Sequence, residues 1–251
     1  MLHRRHGLPE GWLGIVEEHV ALWPTFDADE QELLEGTSDW LLRHKHWEAA
    51  HGFELTDAIT VTIAVQASML VLGLDVDDLR EVSAVIVYPT AVASSGLHAG
   101  PVRGTLVDGP VPVRGEAHDA RGPVILAWDE ADAAARQPGR GHNLVVHEFA
   151  HKLDMEDGIV DGTPPLGSQD ALRRWVDVCT EVFEALREGV DRRPLRGYGA
   201  TNPAEFFAVA TEAFFDVPIA LEHHEPALYE VLGDYFGQDP AARARRAGLT
   251  G

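Results

Sequence analysis

Residues 142–154 read HNLVVHEFAHKLD, and the reading of the rest of the chain starts from them. Asn143 is a strong helix N-cap. Val146, Phe149, Ala150 and Leu153 follow at i, i+3, i+4 and i+7, the apolar stripe of a helix packed on a core. Each helical residue turns ~100°, so His147 and His151 lie about 40° apart and one turn removed along the axis. Two imidazoles so placed can converge on one tetrahedral zinc. Glu148, ~100° round from His147, sits beside such a metal rather than on it, where it can take a proton from water. The bland alternative is a surface helix with two solvated histidines and an ordinary glutamate.

A hydrolytic site of this kind needs a third protein ligand and leaves its fourth position to water. The single cysteine, Cys179, can form neither an internal disulfide nor a Cys-rich zinc site, so the ligand must be a His or a carboxylate. Residues 198–215, YGATNPAEFFAVATEAFF, offer two carboxylates. Asn202 and Pro203 make an N-cap and first-position pair, which starts a helix with Glu205 at its third position. Glu205 there can simply cap the Asn202 amide. Glu212, seven residues on and ~20° off the same face, is crowded by Phe206, Phe207, Phe214 and Phe215, so it must be paired or bound to something. Geometry leaves the two carboxylates even and says only that this helix faces the metal.

Upstream, Asp27 or Asp29 opens a helix with Leu33, Leu34, Trp40, Leu41 and Trp47 on a loose helical period. Thr56 caps a second one running to about Gly73, with Ile59, Ile63, Ala67 and Leu70 as its stripe. Residues 85–88 (VIVY) and 123–128 (PVILAW) read as short strands. Between them, Gly and Pro with alternating valines in VRGTLVDGPVPVRG suit an edge ribbon. Loops are expected at 157–169 and 192–199. Short strands amid helices without regular βαβ alternation point to an α+β fold with a small mixed sheet.

The chain has 251 residues and a formal charge of −21, from 41 Asp and Glu against 20 Lys and Arg. Such an excess argues against nucleic-acid binding, which needs clustered cations against phosphates. Phosphate-binding glycine motifs are missing too. No apolar run approaches the ~20 residues that span a bilayer, and the basic N-terminus lacks a signal peptide's apolar stretch, so a cytoplasmic protein is expected. His44, His46 and His51 share no helix face and His223 and His224 point apart, which favours solvated or structural roles. Cys179 fits a small core residue better than a nucleophile.

The strings GHNLVVHEFAHKLDMEDG (141–158) and YGATNPAEFFAVATEAFF, with WDEADAAAR (128–136) upstream and YFGQDP (235–240) downstream, resemble the Mlc titration factor A family of zinc-dependent peptidases. The likeness runs from about residue 50 to 240. That family's catalytic core is similar to anthrax lethal factor, a gluzincin-like metallopeptidase. The resemblance implies one zinc held by His147, His151 and Glu205, Glu148 as general base and Tyr198 as a transition-state donor.

Glu212 and Asp154 then become candidates to accept an imidazole N–H, and Asp154, at the helix end, is equally suited to capping the loop that follows. Tyr198, between Gly197 and Gly199, is expected on a mobile loop. The implied activity is peptide-bond hydrolysis on a peptide or protein substrate, with aminopeptidase-like cleavage one form of it. The alternative is a regulatory protein that sequesters a transcriptional repressor, its zinc structural or vestigial. A helical segment over 1–80 is expected to pack on a metallopeptidase core over 81–251. The active-site helix should lie beneath an exposed sheet edge, formed partly by 123–128, to which an extended peptide can add.

Overall fold

The computed structural model describes residues 7–50, 52–90, 92–99, 106–113, 115–116 and 122–249, with backbone alone between 92 and 116. In chain order the elements are α1 (Trp12–His19), α2 (Ala28–His44), β1 (His46–Ala49), α3 (Asp57–Leu70), β2 (Ala84–Tyr88), β3 (Val92–Ala99), β4 (Leu106–Val113), β5 (Gly115–Glu116) and β6 (Val124–Ala127). There follow α4 (Trp128–Arg136), α5 (Leu144–Asp154), α6 (Gln169–Arg187), α7 (Pro203–Asp216), α8 (Pro218–His224), α9 (Pro226–Phe236) and α10 (Pro240–Arg246). The protein is α+β, as its patterning predicts.

Asp27 opens α2 with a reciprocal cap: the Glu30 amide donates to Asp27 and the Asp27 amide to Glu30, each at 3.0 Å. The helix ends at His44, and Trp47, expected on it, lies instead on β1, paired with Val85 of β2. From His46 the chain buries alternate residues, with Trp47 inward and Glu48 exposed. Four residues are too few for a helical and a two-residue period to be told apart. Thr56 does cap α3, but every residue from Ile59 to Leu70 is buried, not one stripe. Packing against α1, α2, α4 and α5 covers α3 all round, which is why its sequence reads almost as well as a strand.

The main sheet has the order β1-β2-β6-β5, its first three strands parallel and β5 antiparallel to β6. β6 is therefore an interior strand, bonded to β2 along its whole length and to β5 through Ile125 and Leu126. This overturns the expected exposed edge at 123–128. The unbroken apolar run VILA is what a strand flanked on both sides requires. Trp128 belongs to α4, which follows β6 without a loop. α5 does pack against β5 and β6. β3 and β4 form a separate antiparallel ribbon, from Val92 opposite Val113 to Ala99 opposite Leu106. Residues 100–105, 114 and 117–121 of the expected ribbon region lie outside the described residues. Among the described residues no helix is long and apolar enough to cross a membrane.

Candidate metal centre

The centre forms where α5 crosses α7. Asn143 caps α5 by accepting from the Val146 amide at 3.1 Å, and its own amide nitrogen donates to Gln66 of α3 at 3.0 Å. Every residue of α5 is buried, the polar His147, Glu148, His151, Lys152 and Asp154 included. The imidazoles of His147 and His151 lie 4.9 Å apart, edge to face, as one helical turn dictates. Asn202 caps α7 by accepting from the Glu205 amide at 2.9 Å. The Glu205 carboxylate is directed at α5, its Oε2 3.1 Å from Nε2 of His147 and 3.6 Å from Nε2 of His151.

Ligand atoms of His147, His151 and Glu205 all lie within 4.8 Å of one another, and no other such group occurs among the described residues. A tetrahedral ion bound at ~2.0–2.1 Å would separate its donors by ~3.3 Å, close to both carboxylate–imidazole distances. Glu205 Oε2 is buried and, despite its neighbours, forms no hydrogen bond of acceptable geometry. The oxygen stands beside both Nε2 atoms and accepts a well-formed hydrogen bond from neither. The donor set and this orphaned oxygen both fit a divalent cation.

The charge balance points the same way. Burial disfavours a protonated His147, but Glu205 on one side and Glu212 on the other outweigh it and raise its pKa to about 10. Burial works against ionised Glu205 as well, yet the two histidines hold it well below the usual carboxylate range. Two flanking carboxylates thus require positive charge between them, a condition that a metal also meets.

Glu212 is fully buried two turns along α7. It accepts from His147 Nδ1 at 2.6 Å, His142 Nδ1 at 2.8 Å, the Asn143 amide at 2.7 Å and the Arg196 guanidinium. Burial alone would raise its pKa, but these donors and the Arg196 charge bring it down to about 2. His142 and Arg196 carry no role in the sequence reading. The signal for them was the buried Glu212 itself, which needs cationic or N–H partners that sequence spacing does not name.

Asp216, one turn further, accepts from the amides of Gly139 and Arg140 at 3.0 and 2.8 Å. Glu205, Glu212 and Asp216 span ~40° of one helix face. One side of α7 therefore supplies the carboxylate of the centre, the anchor of His147 and the clamp on the chain entering α5.

Tyr198 sits in a 3-10 turn, Gly197–Ala200, rather than on a free loop. Its ring centre is 6.1 Å from that of His147, and the residue is 52% exposed, so it borders the centre while facing solvent. Burial of its hydroxyl and the nearby Glu205 and Glu148 charges push it above the ordinary phenol range, so at neutral pH it is a donor. Asp154 is fully buried, facing the Gly162 and Thr163 amides and the His151 ring, with neither oxygen in a well-formed hydrogen bond. Burial raises it to about 6. Gly162 has φ +77, and a Cβ there would sit 2.2 Å from the Pro203 carbonyl oxygen, so only glycine lets the loop close on the start of α7.

The other histidines stand elsewhere: His44 ends α2, His46 lies on β1, and His51 is outside the described residues. His223 and His224, expected to point apart, meet edge to face at 4.8 Å at the exposed end of α8. Cys179 lies on α6, its thiol pushed up to about 12 by burial, which makes it a poor nucleophile.

The glucose-regulated metallo-peptidase M90 family matches residues 2–237 of this sequence. The chain belongs to that family. Among similar proteins, an uncharacterized protein of Synechocystis sp. is 33% identical over 237 residues, covering 93% of this chain and 86% of its own length. Mlc titration factor A of Edwardsiella ictaluri is 31% identical, covering 92% of this chain and 88% of the relative. Mlc titration factor A of Serratia proteamaculans is 30% identical, covering 90% and 87%. The M90 assignment and these relatives agree with the resemblance read from the 141–158 and 198–215 motifs. Membership in a metallo-peptidase family implies a metal, and the His147, His151 and Glu205 cluster is where this chain can hold one.

Proposed function

We propose that this protein is a zinc-dependent peptidase with His147, His151 and Glu205 as the ligands of one zinc ion. The observation that carries the reading is the convergence of those three ligand atoms within 4.8 Å, with Glu148 next to His147 on the same helix. Structural zinc sites are usually closed by four protein ligands, whereas three leave a position for water. Zinc, when bound, supplies Lewis acidity to a water and to the substrate carbonyl.

Glu148 accepts the proton of the attacking water and later returns it to the leaving amine. Tyr198 donates a hydrogen bond to the carbonyl oxygen as negative charge develops there. Glu212 takes the Nδ1–H of His147, which fixes the tautomer and turns Nε2 toward Glu205 and His151.

The test is zinc stoichiometry together with hydrolysis of a peptide library, in wild type and Glu148→Gln. One zinc per chain in both and turnover in wild type alone is the expected result. Hydrolysis retained by Glu148→Gln would overturn the base. Comparing free with acetylated N-termini in the library separates aminopeptidase-like from internal cleavage.

The names of the Edwardsiella and Serratia relatives support a second reading, a regulatory protein that binds a transcriptional repressor. A zinc-loaded wild type that cleaves no peptide but forms a stable complex with such a repressor would replace the first reading with the second.

A further inference from the structure

Arg196 touches three parts of the molecule at once. It stands immediately before the turn Gly197–Ala200 that carries Tyr198. Its Nε donates to the Gly141 carbonyl at 3.0 Å, on the segment that enters α5, and a terminal nitrogen donates to Glu212 Oε1 on α7. That oxygen is the one that accepts from His147 Nδ1 at 2.6 Å. His147 in turn faces Tyr198, ring centre to ring centre at 6.1 Å. Tyr198, Arg196, Glu212 and His147 therefore form a closed circuit, in which the guanidinium joins the turn to the anchor of the histidine.

Charge compensation of Glu212 is the plain reason for a cation here, but it does not require arginine. Glu212 already accepts from His142, His147 and the Asn143 amide, and an ammonium would supply a positive charge equally well. What lysine cannot do is hold two acceptors in fixed directions, as a guanidinium does with N–H groups in one rigid plane. Both acceptors are themselves fixed. Glu212 is buried on α7, and the chain at residue 141 is clamped to α7 through the Arg140 amide, which donates to Asp216 at 2.8 Å.

The turn gains a second fixed point from this fork. Its hydrogen bonds are internal: the Gly199 amide donates to the Arg196 carbonyl at 3.0 Å, and the Thr201 amide and hydroxyl donate to the Tyr198 carbonyl at 3.1 and 2.7 Å. These bonds shape the turn without tying it to a neighbouring element. Gly199 seats it on α7, where a Cβ would stand 3.4 Å from Val209. A glycine seat fixes where the turn sits more than the direction in which Tyr198 leaves it. The Tyr198 side chain, being exposed, adds little packing of its own. The guanidinium charge also reaches the Tyr198 hydroxyl, opposing burial and the Glu205 and Glu148 charges there.

We propose that Arg196 is a positioning residue that ties the Tyr198 turn to Glu212, so that the phenol is held beside the imidazole that Glu212 orients. The use of this tether in catalysis rests on the peptidase reading, whereas the tether itself does not. Arg196→Lys keeps the positive charge near Glu212 and removes the fork. Wild type, Arg196→Lys, Tyr198→Phe and the double variant are compared by hydrogen exchange of the Gly199 and Thr201 amides, by chelator competition for zinc, and by kcat and KM on a cleaved peptide. In Arg196→Lys those two amides should exchange at least about tenfold faster, while zinc affinity stays within about threefold of wild type. Its kcat should fall about tenfold at nearly constant KM. In the Tyr198→Phe background the same substitution should cost less than about twofold, because its effect passes through the phenol already removed.

Exchange of both amides at the wild-type rate in Arg196→Lys overturns the tether. A kcat loss that multiplies with that of Tyr198→Phe, or a zinc affinity lowered by about 10–100-fold, means that Arg196 acts through Glu212 alone and overturns the positioning of Tyr198. Exchange does not depend on turnover. A wild type that cleaves no peptide removes the peptidase reading, and the exchange rates then decide the tether by themselves.

Discussion

α3 and α5 are both buried almost all round and both carry polar side chains into the core, yet they handle them in opposite ways. On α3 the polar groups turn mostly to their own backbone: Thr60 donates to the carbonyls of Thr56 and Asp57, Gln66 to that of Thr62 as well as to Ala131 of α4, and Ser68 to that of Ala64, with the neutral Thr62 hydroxyl the one α3 side-chain oxygen left without a partner among the described residues. On α5 the partners come from another helix, with Glu212 on one side of His147 and Glu205 on the other. Glu205 Oε2 and both oxygens of Asp154 lack a well-formed hydrogen bond. A buried polar group that closes on its own helix needs nothing more and marks structure. Buried groups that must be matched by distant carboxylates, and still leave acceptors open, are retained at a cost, which marks a site.

The harshest way to break this contrast is to remove the open acceptor. Glu205→Ala deletes one of three proposed ligands and is expected to leave no zinc on the protein after dialysis, with peptide turnover lost, while the fold persists in circular dichroism. Stoichiometric zinc in that variant would mean that α5 is polar for some other reason.

Asp154→Asn tests the contrast through pH. In the folded protein burial lifts Asp154 to about 6, above its ordinary 3.8. Below pH 3.8 the carboxyl is neutral in both states, and the favourable contribution of its neutral burial is fully present. As pH rises through the folded value the unfolded chain has ionised first, so that contribution is lost. Above pH 6 the buried charge costs up to about 3 kcal/mol. The asparagine variant lacks this titration. Its stability in urea should match wild type near pH 3.5 and exceed it by up to that amount at pH 8. A constant offset at both pH values would show that Asp154 is satisfied after all.

The same contrast shows what the sequence can and cannot reveal. α5 and α7 are legible because Asn143, Asn202 and Pro203 are local start signals and the apolar period runs for three turns. Glu205 and Glu212 share a face at ~20°, so spacing could not rank them. The fold places them at opposite nitrogens of one imidazole, a distinction of position along the axis. Strand order is set by contacts between distant segments, so the interior place of β6 was illegible, and β1 was too short to show its period. His142 and Arg196 were missed because each meets Glu212 across the fold. Glu212→Gln sharpens this division of labour: zinc affinity in chelator competition should fall about 10–100-fold without abolishing binding. A loss as complete as that of Glu205→Ala would make Glu212 a ligand.

The mildest expected effect lies on α3. Ser68 Oγ donates to the Ala64 carbonyl at 2.7 Å and lies 3.0 Å from Ser38 Oγ of α2, away from the metal centre. Ser68→Ala leaves the Ser38 hydroxyl buried with its partner gone, which should cost about 1 kcal/mol, read as a lower urea midpoint. Adding Ser38→Ala removes the stranded hydroxyl, so the double variant should lose less than the sum of the two single losses. Zinc affinity and turnover should not change in either, because the pair closes on α2 and α3 alone. If Ser68→Ala lowers zinc affinity as Glu212→Gln does, then α3 also shapes the centre and the two helices differ in degree, not in kind.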